Sequence, residues 1–176
     1  MKKQKGKSKK LPNKQFWKEK KIIYTLLITA ILIAVYFLFI RKSSDPDFKK
    51  EGEVIFFDKE NRQRIIKIDA EVANNNSERI RGLMYRKQMD EDHGMLFIFE
   101  KPDTQSFWMR NTILPLDIMF IDSAGVIDTI YRKTIPYSDK SLPSRRRVQF
   151  VVEVNGGWSD KFGVKEGDLI EFKVDK

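Results

Sequence analysis

The sequence predicts a mainly β fold, a compact antiparallel β-sandwich or jelly-roll-like barrel with one or two short helices, preceded by an N-terminal transmembrane helix. Three observations support this prediction. Several segments alternate between apolar and polar residues, two short runs are apolar on both faces, and one long uncharged run lies near the N-terminus.

The alternating segments predict β-strands with one buried and one solvated face. Residues 64–73, 148–154 and 169–174 follow this period of two. Met95–Phe99 and Asp117–Ile121 are apolar at nearly every position. Such runs are typical of central strands that are covered on both sides.

Helical patterns are sparse. Asn76 or Ser77 is suited to cap a short helix through residues 78–87, although Gly82 within it lowers helix stability. A second single turn fits residues 157–162, which are followed by Gly163 as a stop signal. We therefore expect one or two small helices beside the strands.

The uncharged run, residues 22–40, predicts a single membrane-spanning helix. A helix of that length spans about 28 Å, close to the hydrocarbon thickness of a bilayer. Tyr24 and Tyr36 lie near its two ends, where interfacial aromatic residues are common. The lysine-rich residues 1–21 predict a cytoplasmic N-terminus. We expect a single-pass protein of the inner (cytoplasmic) membrane whose C-terminal domain is periplasmic or extracytoplasmic.

The net charge of +9 is concentrated in the N-terminal tail. Residues 1–21 hold ten lysines and one acid, whereas residues 43–176 hold 22 bases and 24 acids. A mildly acidic domain is not typical of a nucleic-acid-binding protein, so we expect no nucleic acid as a partner. The tail alone could serve as a DNA-binding arm, but the membrane prediction explains it without another partner.

The chain contains no cysteine. This composition excludes disulfides, thiol catalysis and a lipid-modified cysteine. The apolar run is longer than a typical signal-peptide core and no A-x-A-like site follows it, so we expect a retained anchor. The predicted organisation is a basic cytoplasmic tail, a transmembrane helix, a linker and an extracytoplasmic β domain, at residues 1–21, 22–40, 41–52 and 53–176.

Five sequence blocks resemble a known family. In chain order they are RGLMYRK, HGMLFIFE, FWMRNTILPLDIMFID, EVNGGW and GVKEGD. Together they resemble the domain of unknown function 192 family, also called uncharacterised protein family 0127, from about Glu53 to the C-terminus. The resemblance implies a compact jelly-roll β-sandwich with small helices, often exported or membrane-anchored, and no established activity. The matching positions are Arg81, Gly82, Leu83, Met84, Arg86, Gly94, Met95, Phe97, Phe107, Trp108, Met109, Asn111, Thr112, Pro115, Leu116, Asp117, Glu153, Gly157, Gly167 and Asp168.

Four polar or amphipathic residues interrupt the most apolar part of the chain: Trp108, Arg110, Asn111 and Asp117. If residues 105–110 form a strand, Trp108 and Arg110 share one face. They could line a shallow pocket in which Asp117 accepts a hydrogen bond or acts as a base. Alternatively, Asp117 and Asn111 satisfy loop N–H groups and Arg110 stacks on Trp108, an interpretation that the pattern favours.

A second candidate group comprises Arg81, Arg86 and Glu153. The two arginines could bind an anionic ligand. Alternatively, one of them pairs with Glu153 or Asp168 and fastens the helix to the sheet. Pairing is favoured, because arginine is suited to bidentate contacts with carboxylates.

The sequence predicts no metal and no cofactor. The domain has five methionines whose thioethers could bind Cu(I), but methionine at strand positions is typical of a packed core. The acidic turn before His93 lacks the spacing of a calcium loop. The methionines are Met84, Met89, Met95, Met109 and Met119.

The combined features favour a binding or interaction module at the extracytoplasmic face of the inner membrane, for a small polar ligand or an envelope protein. No Ser-His-Asp arrangement or phosphate-binding glycine loop occurs, which favours a non-enzymatic role. One alternative is an enzyme acting on envelope glycans or lipids with Asp117 as general acid or base. The other is a methionine-based copper-binding protein.

Overall fold

The computed structural model describes residues 21–33 and 48–175. The chain divides into two compact units, Met1–Ser43 and Ser44–Lys176. In the first unit residues 21–33 form helix α1, and no helix among the described residues is long and apolar enough to cross a bilayer. The predicted span extends into residues 34–40, which lie outside the described residues, as do residues 1–20 of the basic tail and residues 41–47 of the linker.

The second unit is mainly β, as predicted. Two short helices accompany its strands. The strands are β1 (Gly52–Phe57), β2 (Arg64–Ala73), β3 (His93–Asp103), β4 (Ser106–Phe107), β5 (Leu116–Ile121), β6 (Ile127–Tyr131), β7 (Leu142–Pro143), β8 (Val148–Asn155) and β9 (Leu169–Val174); the helices are α2 (Asn76–Arg81) and α3 (Trp158–Phe162).

Seven strands form one mixed sheet in the order β6-β5-β8-β3-β2-β1-β9, and β4 and β7 form a separate ribbon. The prediction of an entirely antiparallel arrangement is wrong at one pair, because β2 and β3 are parallel. Residues 74–92, which include α2, supply the long crossover that a parallel pair requires. Val126 and Leu169 form a single bridge between the two ends of the sheet, but no closure into a barrel is seen among the described residues.

Apolar cores cover both faces of the central strands. Along β5, Met119 and Ile121 pack into one core while Ile118 and Phe120 pack into the other. All six residues of β5 are buried. The prediction that Met95–Phe99 and Asp117–Ile121 belong to central strands is confirmed, because β3 and β5 lie inside the sheet.

Both short helices end at glycine. Asn75 caps α2 by accepting a hydrogen bond from the Glu78 N–H, and Gly82 ends the helix with a positive φ of 46°. The predicted helix through residues 78–87 is therefore shorter than expected. Gly163 ends α3 with a φ of 73°, as predicted.

Candidate functional site

Asp117, at the start of β5, is fully buried and its carboxylate is occupied. Oδ1 accepts the N–H of Lys133 at 2.7 Å and that of Gly157 at 2.8 Å. Oδ2 accepts the Ser159 N–H at 2.9 Å and the Ser159 hydroxyl. Four donors from two loops thus converge on one carboxylate. This geometry fastens β5 to the segments after β6 and β8, and it leaves no lone pair directed at solvent.

Trp108 and Arg110 lie together at the surface just after β4. The Trp108 side chain is 45% exposed, and the Arg110 guanidinium lies 4.2 Å from its ring centroid. Arg110 Nε also donates to Asp139 Oδ1 at 2.6 Å. The guanidinium is therefore held by a cation–π contact and an ion pair, while Trp108 stays partly exposed.

Asn111 shapes the turn after Arg110. Its φ is 58°, in the left-handed region, and its carbonyl accepts the Tyr85 N–H at 2.9 Å. Its side-chain amide points to the Met84 sulfur at 3.9 Å. Asparagine tolerates this backbone conformation better than most residues, which accounts for its presence here.

Arg86 and Glu71 form a buried ion pair. Arg86 Nη2 lies 2.5 Å from Glu71 Oε2, and both side chains are nearly inaccessible. The expected pairing of an arginine with Glu153 or Asp168 is replaced by this contact. It still fastens the segment after α2 to the sheet, but through β2 instead of β8.

Glu153 is the one candidate acid whose carboxyl group is buried and unsatisfied. It lies on β8 between Met95 of β3 and Ile118 of β5, and its exposed fraction is 5%. Its Oε2 has no hydrogen-bond partner among the described residues. Burial between uncharged neighbours raises the pKa of the Glu153 carboxyl from its ordinary 4.5 to about 8.

Glu153 lines a cleft of about 240 Å³ between α2, β3 and the β4 region. Apolar and aromatic side chains form about half of its lining. Among the residues that line it, Glu153 is the single acid. The lining residues are Asn76, Arg79, Ile80, Arg81, Gly82, Leu83, Met84, Phe97, Phe99, Gln105, Ser106, Phe107, Trp108, Thr112 and Glu153.

Gly82 lets the chain pass close to the bottom of this cleft. A Cβ built at this position would lie 3.3 Å from the Phe97 ring and 3.7 Å from Glu153 Oε2. The positive φ of Gly82 would also strain any larger residue. The glycine that weakens the predicted helix therefore ends it and allows a close approach to Glu153.

The cleft brings together three of the seven candidate residues, namely Arg81, Trp108 and Glu153. Arg86 lines a neighbouring hollow of about 430 Å³, which shares Arg81, Gly82 and Met84 with the cleft. Arg110 contacts the cleft only through Trp108. The residues Asn111 and Asp117 do not line it.

Sequence reasoning missed the aromatic walls of the cleft. Phe97 and Phe107 contact each other edge to face, with ring centroids 5.0 Å apart. Both fit the pattern of core residues, and both do pack against the apolar core. The alternation of apolar and polar residues does not distinguish a phenylalanine that borders a cleft from one that packs only in the core.

The potential metal ligands are dispersed or at the surface. Met119 belongs to one core, whereas Met89, Met95 and Met109 belong to the core on the opposite face. The Met109 sulfur also accepts the Thr134 hydroxyl at 3.1 Å. The methionines of the described region therefore do not form one ligand set.

The acidic turn before β3 groups three potential ligands. Asp90, Asp92 and His93 each bring one ligand atom to within 4.8 Å of the others. The His93 ring is stacked on Phe48, with centroids 3.6 Å apart. Exposed acidic turns of this kind are common without an ion, and the absence of a metal stays a prediction.

Comparison with known proteins identifies the family. The sequence model of the DUF192 family, described as "Uncharacterized ACR", matches residues 57–172 of the chain. The chain belongs to the DUF192 family. The resemblance inferred from the sequence blocks is thereby confirmed at the level of the family.

Two solved structures of similar proteins share the fold. A Sinorhizobium meliloti 1021 protein, provisionally described as a transcription regulator, is 38% identical, with a TM-score of 0.66 over 72% of this chain and 97% of its own. A protein of unknown function from Novosphingobium aromaticivorans DSM 12444 is 32% identical, with a TM-score of 0.67 over 73% of this chain and 91% of its own. No curated protein matches this DUF192 chain.

Proposed function

We propose that this DUF192 protein is a membrane-anchored binding module whose extracytoplasmic domain holds a small ligand in the cleft above Glu153. The observation that carries the proposal is the Glu153 carboxyl, which is 5% exposed and has one oxygen without a hydrogen-bond partner among the described residues.

An unsatisfied buried carboxyl lowers stability. Taking a polar group out of water without a compensating hydrogen bond costs about 1–3 kcal/mol, and an ionised group costs more. A ligand that supplies the missing partner would offset this cost. Apolar walls with a few convergent polar groups are also the usual composition of small-molecule sites.

Binding fits the cleft better than hydrolysis by two carboxylates. Hydrolysis of that kind needs two acids that face one substrate. Glu71 lies in the same cross-strand row as Glu153, two strands away through Met95, and strand spacing places their Cα atoms about 10 Å apart. Glu71 pairs with Arg86 in the neighbouring hollow, however, and Asp117 is fully enclosed. The enzyme alternative therefore lacks an accessible second acid.

Nucleic acid is not part of the proposal, although one solved neighbour is provisionally described as a transcription regulator. Residues 43–176 carry 22 bases and 24 acids. Binding to DNA phosphates ordinarily depends on an excess of basic groups on one surface. The charge balance of the domain favours a small ligand or an envelope protein instead.

The anchor rests on the uncharged run at residues 22–40 and the lysines that precede it. In spheroplasts that produce the full-length chain, we expect external protease to degrade the C-terminal domain. Carbonate washing should leave the intact chain with the membranes. Protection of the domain until detergent is added would contradict the proposed orientation, and release by carbonate would contradict the anchor.

Ligand binding is testable through the tryptophan side chains. Trp108 borders the cleft, whereas Trp158 is buried and donates its indole N–H to the Glu91 carbonyl at 2.9 Å. In the ¹⁵N-labelled full-length chain, we expect members of a set of small ring compounds to shift the Trp108 indole signal and to leave that of Trp158 in place.

Matched substitutions identify the binding group. Glu153→Gln should weaken binding by about tenfold, since a hydrogen bond to a charged group is worth about 1.5 kcal/mol or more. Glu171→Gln, at an exposed position of β9, should leave it unchanged. Equal binding to all three chains, or no compound that shifts Trp108, would contradict the proposed function.

A further inference from the structure

One acidic and one basic side chain line the cleft without a hydrogen-bond or ion-pair partner among the described residues. Glu153 has its unsatisfied, buried Oε2, and Arg81 is an exposed residue whose guanidinium has no hydrogen bond or ion pair with any described residue. The other arginine of the cleft, Arg79, is held by three hydrogen bonds. Arg79 donates to the carbonyls of Asn74 and Ile98 and to the side chain of Asn76, each at 2.8 Å.

Arg81 and Glu153 do not satisfy each other. No ion pair within 4.0 Å joins them, although both line the same cleft. A gap therefore separates the two groups, and a bound molecule could bridge it.

The walls between these groups are suited to an apolar body and to a cation. Phe97, Phe107 and Trp108 line the cleft together with Glu153. Aromatic faces attract ammonium groups, and the attraction is strongest where water is excluded. The volume of about 240 Å³ is below the usual range for drug-sized ligands, so the occupant is compact.

We propose that the ligand of this cleft is a compact zwitterion, with its ammonium group at Glu153, its anionic group at Arg81 and an apolar body between the aromatic walls. This inference rests on the proposed function and specifies the ligand class for the same cleft.

A zwitterion satisfies both groups at once, whereas a neutral ligand satisfies only Glu153. On binding an ammonium group, Glu153 releases its proton to solvent and becomes the carboxylate of a charge-assisted pair. The Arg81 guanidinium is suited to a bidentate contact with a carboxylate or phosphate. Both contacts use side chains that have no partner among the described residues.

Matched probes test the charge requirement in the full-length chain. Phenylalanine, 4-(aminomethyl)benzoate and 6-aminohexanoate are zwitterions of different lengths. Benzylammonium, benzoate and benzamide carry a cation, an anion and neither charge. We expect at least one zwitterion to shift the Trp108 indole signal with a dissociation constant about tenfold or more below those of the three single-group probes.

Two substitutions assign the contacts. Glu153→Gln should weaken binding of the zwitterion and of benzylammonium by about tenfold and leave benzoate unchanged. Arg81→Gln should weaken the zwitterion and benzoate and leave benzylammonium unchanged. Arg64→Gln, at an exposed position at the start of β2, is the control for loss of one positive charge. The Trp158 signal reports in each variant whether the domain is folded.

The outcomes separate this inference from the proposed function. If ring compounds shift Trp108 but benzamide binds as tightly as the best zwitterion, the zwitterion is wrong and the binding cleft stands. Unchanged zwitterion affinity in Arg81→Gln overturns the inference in the same way. If neither the zwitterions nor any ring compound shifts Trp108, both proposals fail.

Discussion

Replacing Asp117 with asparagine is expected to lower the free energy of unfolding by about 3–5 kcal/mol. The carboxylate accepts the N–H groups of Lys133, Gly157 and Ser159 and the Ser159 hydroxyl, all in a fully buried position. Asparagine keeps one acceptor oxygen but turns an amide N–H₂ toward these donors. Buried donors are then left unpaired, and the loops they belong to lose their attachment to β5.

Asp122→Asn is the matched control for this substitution. Asp122 also accepts two backbone N–H groups, from Ala124 at 2.8 Å and from Val126 at 3.0 Å, but it does so in a partly exposed turn. Asparagine commonly fills this role in turns, so the expected change is below about 1 kcal/mol. Chemical denaturation of both variants checks the comparison. Equal effects in the two variants would show that Asp117 does not fasten the loops as described.

Replacing Glu153 with glutamine is expected to stabilise the protein near neutral pH. The folded-state pKa of about 8 lies above the ordinary 4.5, so the folded chain holds a proton that the unfolded chain releases. Proton binding by Glu153 makes its full contribution to the free energy of unfolding below pH 4.5. This contribution is lost as the pH rises toward 8. The loss is about 1.4 kcal/mol per pH unit. Glutamine does not titrate, so the Glu153→Gln variant avoids this loss of stability.

The stability difference between the variant and the wild type should therefore depend on pH. Between pH 4 and pH 7 it should grow in favour of Glu153→Gln by on the order of 3 kcal/mol. Glu171→Gln, at an exposed position, should show no such trend. Denaturation curves collected at several pH values measure the difference. A difference that is the same at pH 4 and pH 7 would mean that Glu153 is ionised and solvated in the folded chain.

Local pattern was enough to predict most of the strands. The alternation in residues 64–73 matches β2, and residues 117–121, which are apolar except for Asp117, lie within β5, a strand covered on both faces. Period-2 alternation depends only on which face of the sheet each side chain occupies. A strand can therefore be recognised from its own residues, without knowledge of the neighbouring strands. The parallel pairing of β2 and β3 was not predictable in this way, because the alternation of one strand does not specify the direction of its partner.

The candidate site was predicted only in part, for a related reason. Trp108 was singled out because it interrupts an apolar stretch, and Glu153 because it could pair with an arginine; both line one cleft. Asp117 interrupts the apolar run as clearly, yet its carboxylate already accepts hydrogen bonds from the backbone N–H groups of Lys133, Gly157 and Ser159. Sequence shows that a polar group sits in an apolar strand. Whether that group already has partners depends on long-range contacts, which sequence alone does not reveal.

The binding proposal depends on Glu153 being a buried carboxyl without a protein partner, and its titration measures this directly. The ¹³C signal of the Glu153 side-chain carboxyl, assigned with Glu153→Gln, can be followed from pH 3 to pH 10 in the full-length chain. We expect a midpoint near pH 8 in the free protein, and a lower midpoint once a zwitterion or benzylammonium is bound. A midpoint near 4.5 in the free protein would contradict it, because an ordinary solvated carboxylate would need no ligand to satisfy it.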